Sequence, residues 1–282
     1  MRKTIFIIFL IMISLLLIAQ QNQEEQQSQE EQQIEDDQSA GKEEEIDKRI
    51  TYYDNGNTKV EAHYKDDVLQ GKRIEWYEDG VKKIEQQYRD GKKEGAWFEW
   101  YENGQKKSKK NYKNDEKHGD QVEWYENGKI KRKQKFQEGV QNGRWVEWDE
   151  KERITRQSEF FDTGQMKHMT EYEYNEESLL KTYKEWLEDG KPKFEERRKD
   201  GIRFGILKEW FDNGNLSLET EYYEGKEQGI YRDWYENGNK RLESEMKDGK
   251  RHGLTTSWDE NGVIQWIQEY NEGRFVRRRI IQ

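Results

Sequence analysis

The chain contains no cysteine and only one proline, Pro192, among its 282 residues. Without cysteine it can form no disulfide, no thiol nucleophile, no cysteine-based metal site and no lipid-modified N-terminal cysteine. Hydrophobic residues make up only 31% of the chain and charged residues 39%, so a thick apolar core is excluded. Aromatic residues nevertheless reach 13%, which is too many for simple disorder. A thin structure with rows of aromatic side chains satisfies both figures.

Long hydrophobic runs are absent except at the start of the chain. The apolar run from Ile5 to Ile18 is interrupted only by Ser14 and follows Arg2 and Lys3. A charged start followed by an apolar stretch shorter than the about 20 residues of a membrane span is typical of an export signal. We therefore expect residues 1–19 to be a signal peptide, or an uncleaved anchor formed by residues 4–19. The rest of the chain is then exported to the periplasm, the cell surface or the medium.

The segment that follows, residues 20–49, is rich in glutamine and glutamate and has almost no apolar residues. It carries eleven acidic residues against Lys42, Lys48 and Arg49, a net charge of −8. Such a segment has nothing to bury, so it is predicted to be a disordered linker.

The remainder of the chain is close to charge balance. The whole chain carries −10, residues 20–49 carry −8 and Arg2 and Lys3 carry +2, so residues 50–282 carry −4. Nucleic-acid binding needs clustered lysine and arginine, and so does an anionic membrane surface. The sequence therefore predicts no nucleic-acid partner, and membrane contact only through the N-terminal segment.

From about residue 50 onwards the chain repeats every 24 residues. Most copies contain an aromatic pair, two polar residues and a glycine, such as Trp-Tyr-Glu-Asn-Gly ending at Gly104. A fixed period of this length indicates a repeat architecture in which each unit contacts its neighbours. The tryptophans that mark the period are Trp76, Trp100, Trp124, Trp148, Trp186, Trp210, Trp234 and Trp258.

Each repeat reads as one β-hairpin followed by a glycine-bearing loop. Asn-Gly or Asp-Gly between alternating runs is a strong hairpin signal. A three-residue loop with a left-handed glycine pairs Trp76 with Lys82 and puts Ile74 opposite Ile84. Trp76, Ile74, Ile84 and Tyr88 then share one face, and Glu75 faces Lys83 on the other. The fold class predicted is all-β: an elongated, twisted antiparallel sheet of consecutive hairpins.

The period is irregular over residues 149–190. Glu152 stands where a turn glycine is due, and the next turn-like unit ends at Gly164, half a repeat later. Either an insertion is tolerated within one regular array, or two blocks of hairpins meet at a junction.

The recurring pattern, an aromatic residue followed by Tyr-Glu-Asn-Gly, then lysine and a Gly-x-x-x-Gly spacing, resembles the MORN-repeat variant of many bacterial proteins. The resemblance covers residues 50–282 and implies a long sheet of consecutive hairpins. It also implies an interaction or scaffold role, an antitoxin-like role in some relatives and lipid binding in others. It carries no catalytic residues onto this chain.

The aromatic residues have two expected roles. Each repeat tryptophan is predicted to stack on the aromatic residue eight positions after a turn glycine, as Tyr88 and Tyr112 are, because same-face neighbours lie close in a sheet. The residue after each tryptophan points to the other face and is less needed for packing. These residues are the candidate partner-binding positions: Tyr77, Tyr101, Tyr125 and Tyr235.

No catalytic, cofactor-binding or metal site is expected. His118 and His252 share one phase of the repeat and lie far apart along the chain. No nucleophile elbow, zinc-protease motif or phosphate-binding loop occurs. The sequence therefore favours a non-enzymatic interaction or scaffold protein of the bacterial cell envelope that binds a protein partner through an extended β surface. The alternatives are an antitoxin-like neutraliser of a partner protein and a secreted glycan binder with an aromatic surface.

Overall fold

The computed structural model describes residues 46–279, which form a single antiparallel sheet without helices. The predictions for residues 1–19 and 20–45 lie outside the described residues. The first strand begins at Asp47, three residues before the predicted boundary at residue 50. The strands are β1 (Asp47–Tyr52), β2 (Thr58–Lys65), β3 (Val68–Trp76), β4 (Lys82–Arg89), β5 (Lys92–Lys93), β6 (Gly95–Trp100), β7 (Lys106–Lys113), β8 (Glu116–Lys117), β9 (Gly119–Trp124), β10 (Ile130–Gln137), β11 (Val140–Gln141), β12 (Gly143–Trp148), β13 (Ile154–Phe160), β14 (Met166–Tyr174), β15 (Leu179–Trp186), β16 (Pro192–Lys199), β17 (Ile202–Arg203), β18 (Gly205–Trp210), β19 (Leu216–Tyr223), β20 (Lys226–Trp234), β21 (Lys240–Lys247), β22 (Lys250–Trp258), β23 (Ile264–Asn271) and β24 (Arg274–Arg279).

Each of the longer strands pairs with the next longer strand in the chain, which confirms the predicted all-β sheet of consecutive hairpins. The short strands β5, β8, β11 and β17 lead into the longer strand after them, and both pair with the same neighbour. Over residues 46–279 no helix has the length and apolar character needed to cross a membrane.

The hairpin turns have three-residue loops, as predicted. At Gly104 the amide donates to the carbonyl of Tyr101 at 3.0 Å, and the amide of Tyr101 donates to the carbonyl of Gln105 at 2.9 Å. Gly104 has φ +81°, the left-handed conformation that closes this turn. Trp76 pairs with Lys82, again as expected.

The predicted pairing beyond the turn is wrong by one residue. Glu75 pairs with Ile84 and Ile74 pairs with Glu85, so Lys83 is an extra, unpaired residue. This is a β-bulge, which sequence periodicity does not reveal. A one-residue shift exchanges the faces of a strand. Ile74 and Trp76 therefore lie on one face of the sheet, and Ile84 and Tyr88 lie on the other face.

The irregular stretch around residue 152 is a junction between two blocks. The turn persists there because Glu152 adopts φ +64°, with its amide donating to Asp149 at 2.9 Å. Only β13 separates this turn from the one that ends at Gly164. All other successive three-residue turns are separated by two passes of the chain across the sheet, one out and one back. Each strand runs between the two long sides of the sheet, which are formed by the strand ends. The three-residue turns therefore move from one long side to the other here. We call residues 47–160 the first block and residues 166–279 the second block.

The junction also exchanges the faces of the sheet. Paired residues share a face, as do residues two apart in a strand. The register therefore defines a front face, which carries Trp97 and Phe136, and a back face, which carries Phe98 and Val146. Apart from Val146, the buried side chains of the first block lie on the front face and those of the second block on the back face. They are Ala62, Ser108, Gln121, Phe136, Ser158 and Phe160 in the first block, and Leu207, Thr220, Asp233, Ser244 and Thr255 in the second.

The aromatic stacks involve different tryptophans from those predicted. Trp97 lies between Tyr88 and Tyr112, with ring centroids 5.3 and 4.8 Å away, and Trp145 lies between Phe136 and Phe160 at 5.6 and 4.8 Å. The repeat tryptophan Trp100, by contrast, contacts Phe98 on the back face at 5.8 Å. The bulge is the cause, because it places the residue four before the turn glycine and the residue eight after it on opposite faces.

Candidate functional site

The four tyrosines predicted to bind a partner form a ladder between successive turns. Each hydroxyl donates a hydrogen bond to the backbone carbonyl of the tryptophan 23 residues later. The pairs are Tyr77 to Trp100 at 2.9 Å, Tyr101 to Trp124 at 2.8 Å, Tyr125 to Trp148 at 2.8 Å and Tyr235 to Trp258 at 2.9 Å. Tyr53 donates to Trp76 in the same way at 2.7 Å. These bonds tie each of the five turns to the turn that follows it.

The bulged lysines cover the same tyrosine rings. Lys83 Nζ lies 5.3 Å from the ring centroid of Tyr77, and Lys107 Nζ lies 5.6 Å from that of Tyr101. These are cation–π distances. Burial, followed by the charge of Glu126, raises the pKa of Tyr101. The expectation that these tyrosines are less needed for packing is therefore wrong, while their binding role stays a prediction.

Asparagine side chains reinforce the ladder. Asn103 Oδ1 accepts from the amide of Gln105 at 2.9 Å, and its Nδ2 donates to the carbonyl of Glu126 in the next turn at 3.0 Å. Asn237 Nδ2 makes the same bond to Glu260 at 2.7 Å. An aspartate, as at Asp79, keeps the bond within its own turn at 3.0 Å but has no amide donor for the next turn. This function of the Asn-Gly spacing was missed by the sequence reasoning, although its regularity was visible.

The back face of the first block carries unpaired positive charge over β7 to β12. Register places six cations on this face against the acids Glu116 and Asp120. Considering only contacts among residues 46–279, none of these eight side chains has an ion-pair partner within 4.0 Å. The six cations are Lys106, Lys109, Lys113, Lys133, Lys135 and Arg144.

A depression of about 690 Å³ lies among these cations. Its apolar lining is Val122, Val146, Trp148 and Ile154, and its charged lining is Lys133, Lys135, Arg144 and Asp120. The three cations are exposed, whereas Val146 is buried. We call the depression, together with the six cations around it, the cationic groove. The near-balanced charge of residues 50–282 hid this feature, because a sum over the sequence does not separate the two faces of a sheet.

A second depression, of about 620 Å³, lies on the back face of the second block. At its floor Asp233 is 5% exposed and accepts two hydrogen bonds from Arg241, at 3.0 and 2.9 Å. Burial and the neighbouring Asp233 raise the pKa of Tyr231 to about 12. Here the buried charge already has its partner within the chain, so this depression offers less unsatisfied chemistry than the cationic groove.

The part of the chain that the structure describes holds no group of three or more histidine, aspartate and glutamate side chains placed to bind a metal ion. His118 and His252 belong to different repeats on opposite sides of the junction. The structure does not bring them together.

Comparison with known proteins gives a family resemblance and little more. Six segments match the family described as MORN repeat variant: residues 48–66, 69–90, 93–114, 117–138, 227–248 and 251–272. Together they make up a little under half of the chain. No curated protein matches.

Two solved structures resemble the chain weakly. The crystal structure of TcdB2-TccC3 is 9% identical over 83% of this chain, with a TM-score of 0.20, and that of TcdB2-TccC3-Cdc42 is 9% identical over 80%, with a TM-score of 0.19. The chain spans only 14% and 13% of the length of those chains. Over its six matching segments the chain is similar to the MORN repeat variant.

Proposed function

We propose that this chain is a non-enzymatic interaction protein of the bacterial cell envelope, and that it binds an acidic segment of a partner protein in the cationic groove. The observation that carries the proposal is the set of six cations on the back face of the first block, none of them ion-paired among residues 46–279. In the second block, by contrast, two cations have an acidic cross-strand partner. Lys208 and Glu219 are 3.2 Å apart, and Arg232 and Glu243 are 2.9 Å apart.

The groove combines two properties of a protein-binding surface. Trp148, Val122 and Ile154 supply apolar area on its floor, and aromatic and aliphatic anchors of this kind dominate binding energy. Lys133, Lys135 and Arg144 supply a charged rim, which steers a partner of opposite charge and sets the orientation in which it binds. A segment that alternates acidic and apolar residues matches both properties.

The envelope location is supported by the sequence of residues 1–19 and by no described residue. Proteolysis of intact cells tests it directly. An exported protein is digested while a cytoplasmic marker stays intact. Protection of the protein alongside the marker would contradict export and favour the antitoxin-like alternative.

The binding proposal is tested with a defined probe, a synthetic peptide of alternating glutamate and leucine. The parent chain and the triple variant Lys133→Glu, Lys135→Glu, Arg144→Glu are compared by titration calorimetry. The matched control reverses Lys226, Lys247 and Lys250, three exposed lysines of the second block. Loss of binding in the groove variant alone supports the proposal, and equal loss in both variants overturns it.

A further inference from the structure

We infer that the acidic segment at residues 24–45 of the same chain docks in the cationic groove and covers it. The inference concerns the groove of the proposed function, but it needs no external partner. It deepens that proposal by naming a competitor that a partner has to displace.

Charge complementarity is the first argument. Residues 20–45 contain ten acidic residues and a single cation, Lys42. The back face over β7 to β12 has six cations against two acids, with no ion pairs among the residues the structure describes. Five of the six cations, all except Lys109, are exposed. In the second-block depression Asp233 is already paired with Arg241, whereas the cationic groove combines uncompensated charge with an apolar floor.

Reach is the second argument. Seven strand steps separate β1 from β10, which is about 34 Å at about 4.8 Å per step. The 22 residues from 24 to 45 span up to about 73 Å when extended at about 3.3 Å per residue. The segment is therefore long enough to reach the groove and to lie along it.

The point of attachment is the third argument. β1 begins at Asp47 and runs toward the turn that ends at Gly56. Asp47 therefore lies on the opposite long side of the sheet, which also carries the two-residue turns before β3, β5, β8 and β11. Three of the cations lie close to that long side, beside the turns at residues 114–115 and 138–139: Lys113, Lys135 and Arg144. The acidic segment thus joins the sheet on the long side where these three cations lie.

Tethering makes a weak electrostatic contact effective. Covalent attachment to the same chain raises the local concentration of the segment to about the millimolar range. Exposed charge contacts that would be transient between separate molecules are then occupied most of the time. Salt screens such contacts, so the docked state opens at high ionic strength.

The experiment measures acetylation of individual lysines in the full chain by mass spectrometry. It compares the parent with a variant in which the ten acids are replaced by their amides: Glu24, Glu25, Glu30, Glu31, Glu35, Asp36, Asp37, Glu43, Glu44 and Glu45. At millimolar effective concentration we expect Lys113, Lys133 and Lys135 to react about tenfold more slowly in the parent than in the variant. Lys226, Lys247 and Lys250 serve as internal controls and should react at equal rates in both.

Two outcomes overturn the inference. Equal rates at Lys113, Lys133 and Lys135 in parent and variant would mean that the segment does not cover the groove. Protection that disappears on dilution would mean that a second copy supplies the segment. Neither outcome affects the peptide titration, so a failure here is distinguishable from a failure of the proposed function.

Discussion

The back face of the first block and the front face of the second block are structurally equivalent surfaces that carry different cross-strand residue pairs. Both carry the residue six before each turn glycine, paired with the residue five after it. In the first block two of these pairs are apolar against cationic, Phe98 with Lys109 and Val122 with Lys133, whereas Ile74 pairs with Glu85. In the second block three of them are charge pairs: Lys184 with Glu195, Lys208 with Glu219, and Arg232 with Glu243.

The second-block surface is stabilised by cross-strand ion pairs, whereas the cations of the cationic groove remain available to a binding partner. Arg232 lies 3.2 Å from Glu219 and 2.9 Å from Glu243, so one guanidinium links three strands. Lys133, at the position of Glu243, has no ion pair among residues 46–279.

Cross-strand ion pairs contribute modestly to sheet stability. Nearer the start of the first block, Lys72 and Lys82 both pair with Glu85 on the back face. Over β7 to β12 of that face the contribution is absent among the described residues, and five of the six cations are exposed beside apolar side chains.

The largest expected effect comes from removing the junction. Deleting residues 153–164 removes one crossing of the sheet, so both blocks should bury side chains on the same face. Deleting residues 105–128 removes two crossings and should preserve the exchange of faces. Crystal structures of the two deletions check this parity argument, with circular dichroism to confirm folding. If the first deletion kept the exchange of faces, strand parity would not be its cause.

The turn residues give the next largest effect. Gly104→Val forces a branched side chain into φ +81° and should lower the free energy of unfolding by about 1–2 kcal/mol. Glu152 already adopts φ +64° without being glycine, so Glu152→Gly should raise that free energy by up to about 1 kcal/mol. Urea unfolding measures both. A stabilising Gly104→Val would contradict the turn assignment.

Charge reversal compares the two surfaces directly. Arg232→Glu removes two ion pairs and puts three acids in a row, which should cost about 1–2 kcal/mol at low salt. Lys133→Glu breaks no ion pair among the described residues and should change stability by less than about 0.5 kcal/mol. Urea midpoints at low and high salt give both values. Equal costs would show that the two surfaces do not differ as the contacts indicate.

The smallest effect is a dependence on pH in the second block. A hydrogen bond from Lys193 lowers the pKa of Glu185; for Glu243, burial opposes the shift, but hydrogen bonds from Lys240 and Arg232 outweigh it and lower the pKa. The stability from a lowered pKa is present above the unfolded value of about 4.3 and is lost as pH falls through the folded value. Urea midpoints should therefore decline in acid, and less steeply in Arg232→Gln. Carboxyl NMR titration checks the direction of both shifts.

The fold was predictable to the level of the hairpin, and no further. The Asn-Gly and Asp-Gly signals located the hairpins correctly. The three-residue loop with a left-handed Gly104 was inferred from a shared face for Ile74, Trp76, Ile84 and Tyr88; the loop is present, but the shared face is not. The bulge at Lys83 was not predictable, because an extra residue in one strand leaves the spacing of Trp76 and Gly80 unchanged. That single residue accounts for the wrong stacking partners and for the misplaced Glu75–Lys83 pair.

The candidate site was predictable only in part. Tyr77, Tyr101, Tyr125 and Tyr235 were singled out from their position, but their bonds to the next turn depend on the distance between successive turns. The cationic groove was missed, since it arises when the register puts Lys133, Lys135 and Arg144 on one face.

By itself the sequence determined the repeat, the antiparallel hairpins and the turn conformations, because these depend on local backbone preference and on a period that can be read along the chain. Only the tertiary structure decided which residues share a face. That depends on one bulged residue in each hairpin and on the parity of strands at residue 152. The distribution of charge between the two faces, and with it the surface available to a partner, follows from register rather than from composition.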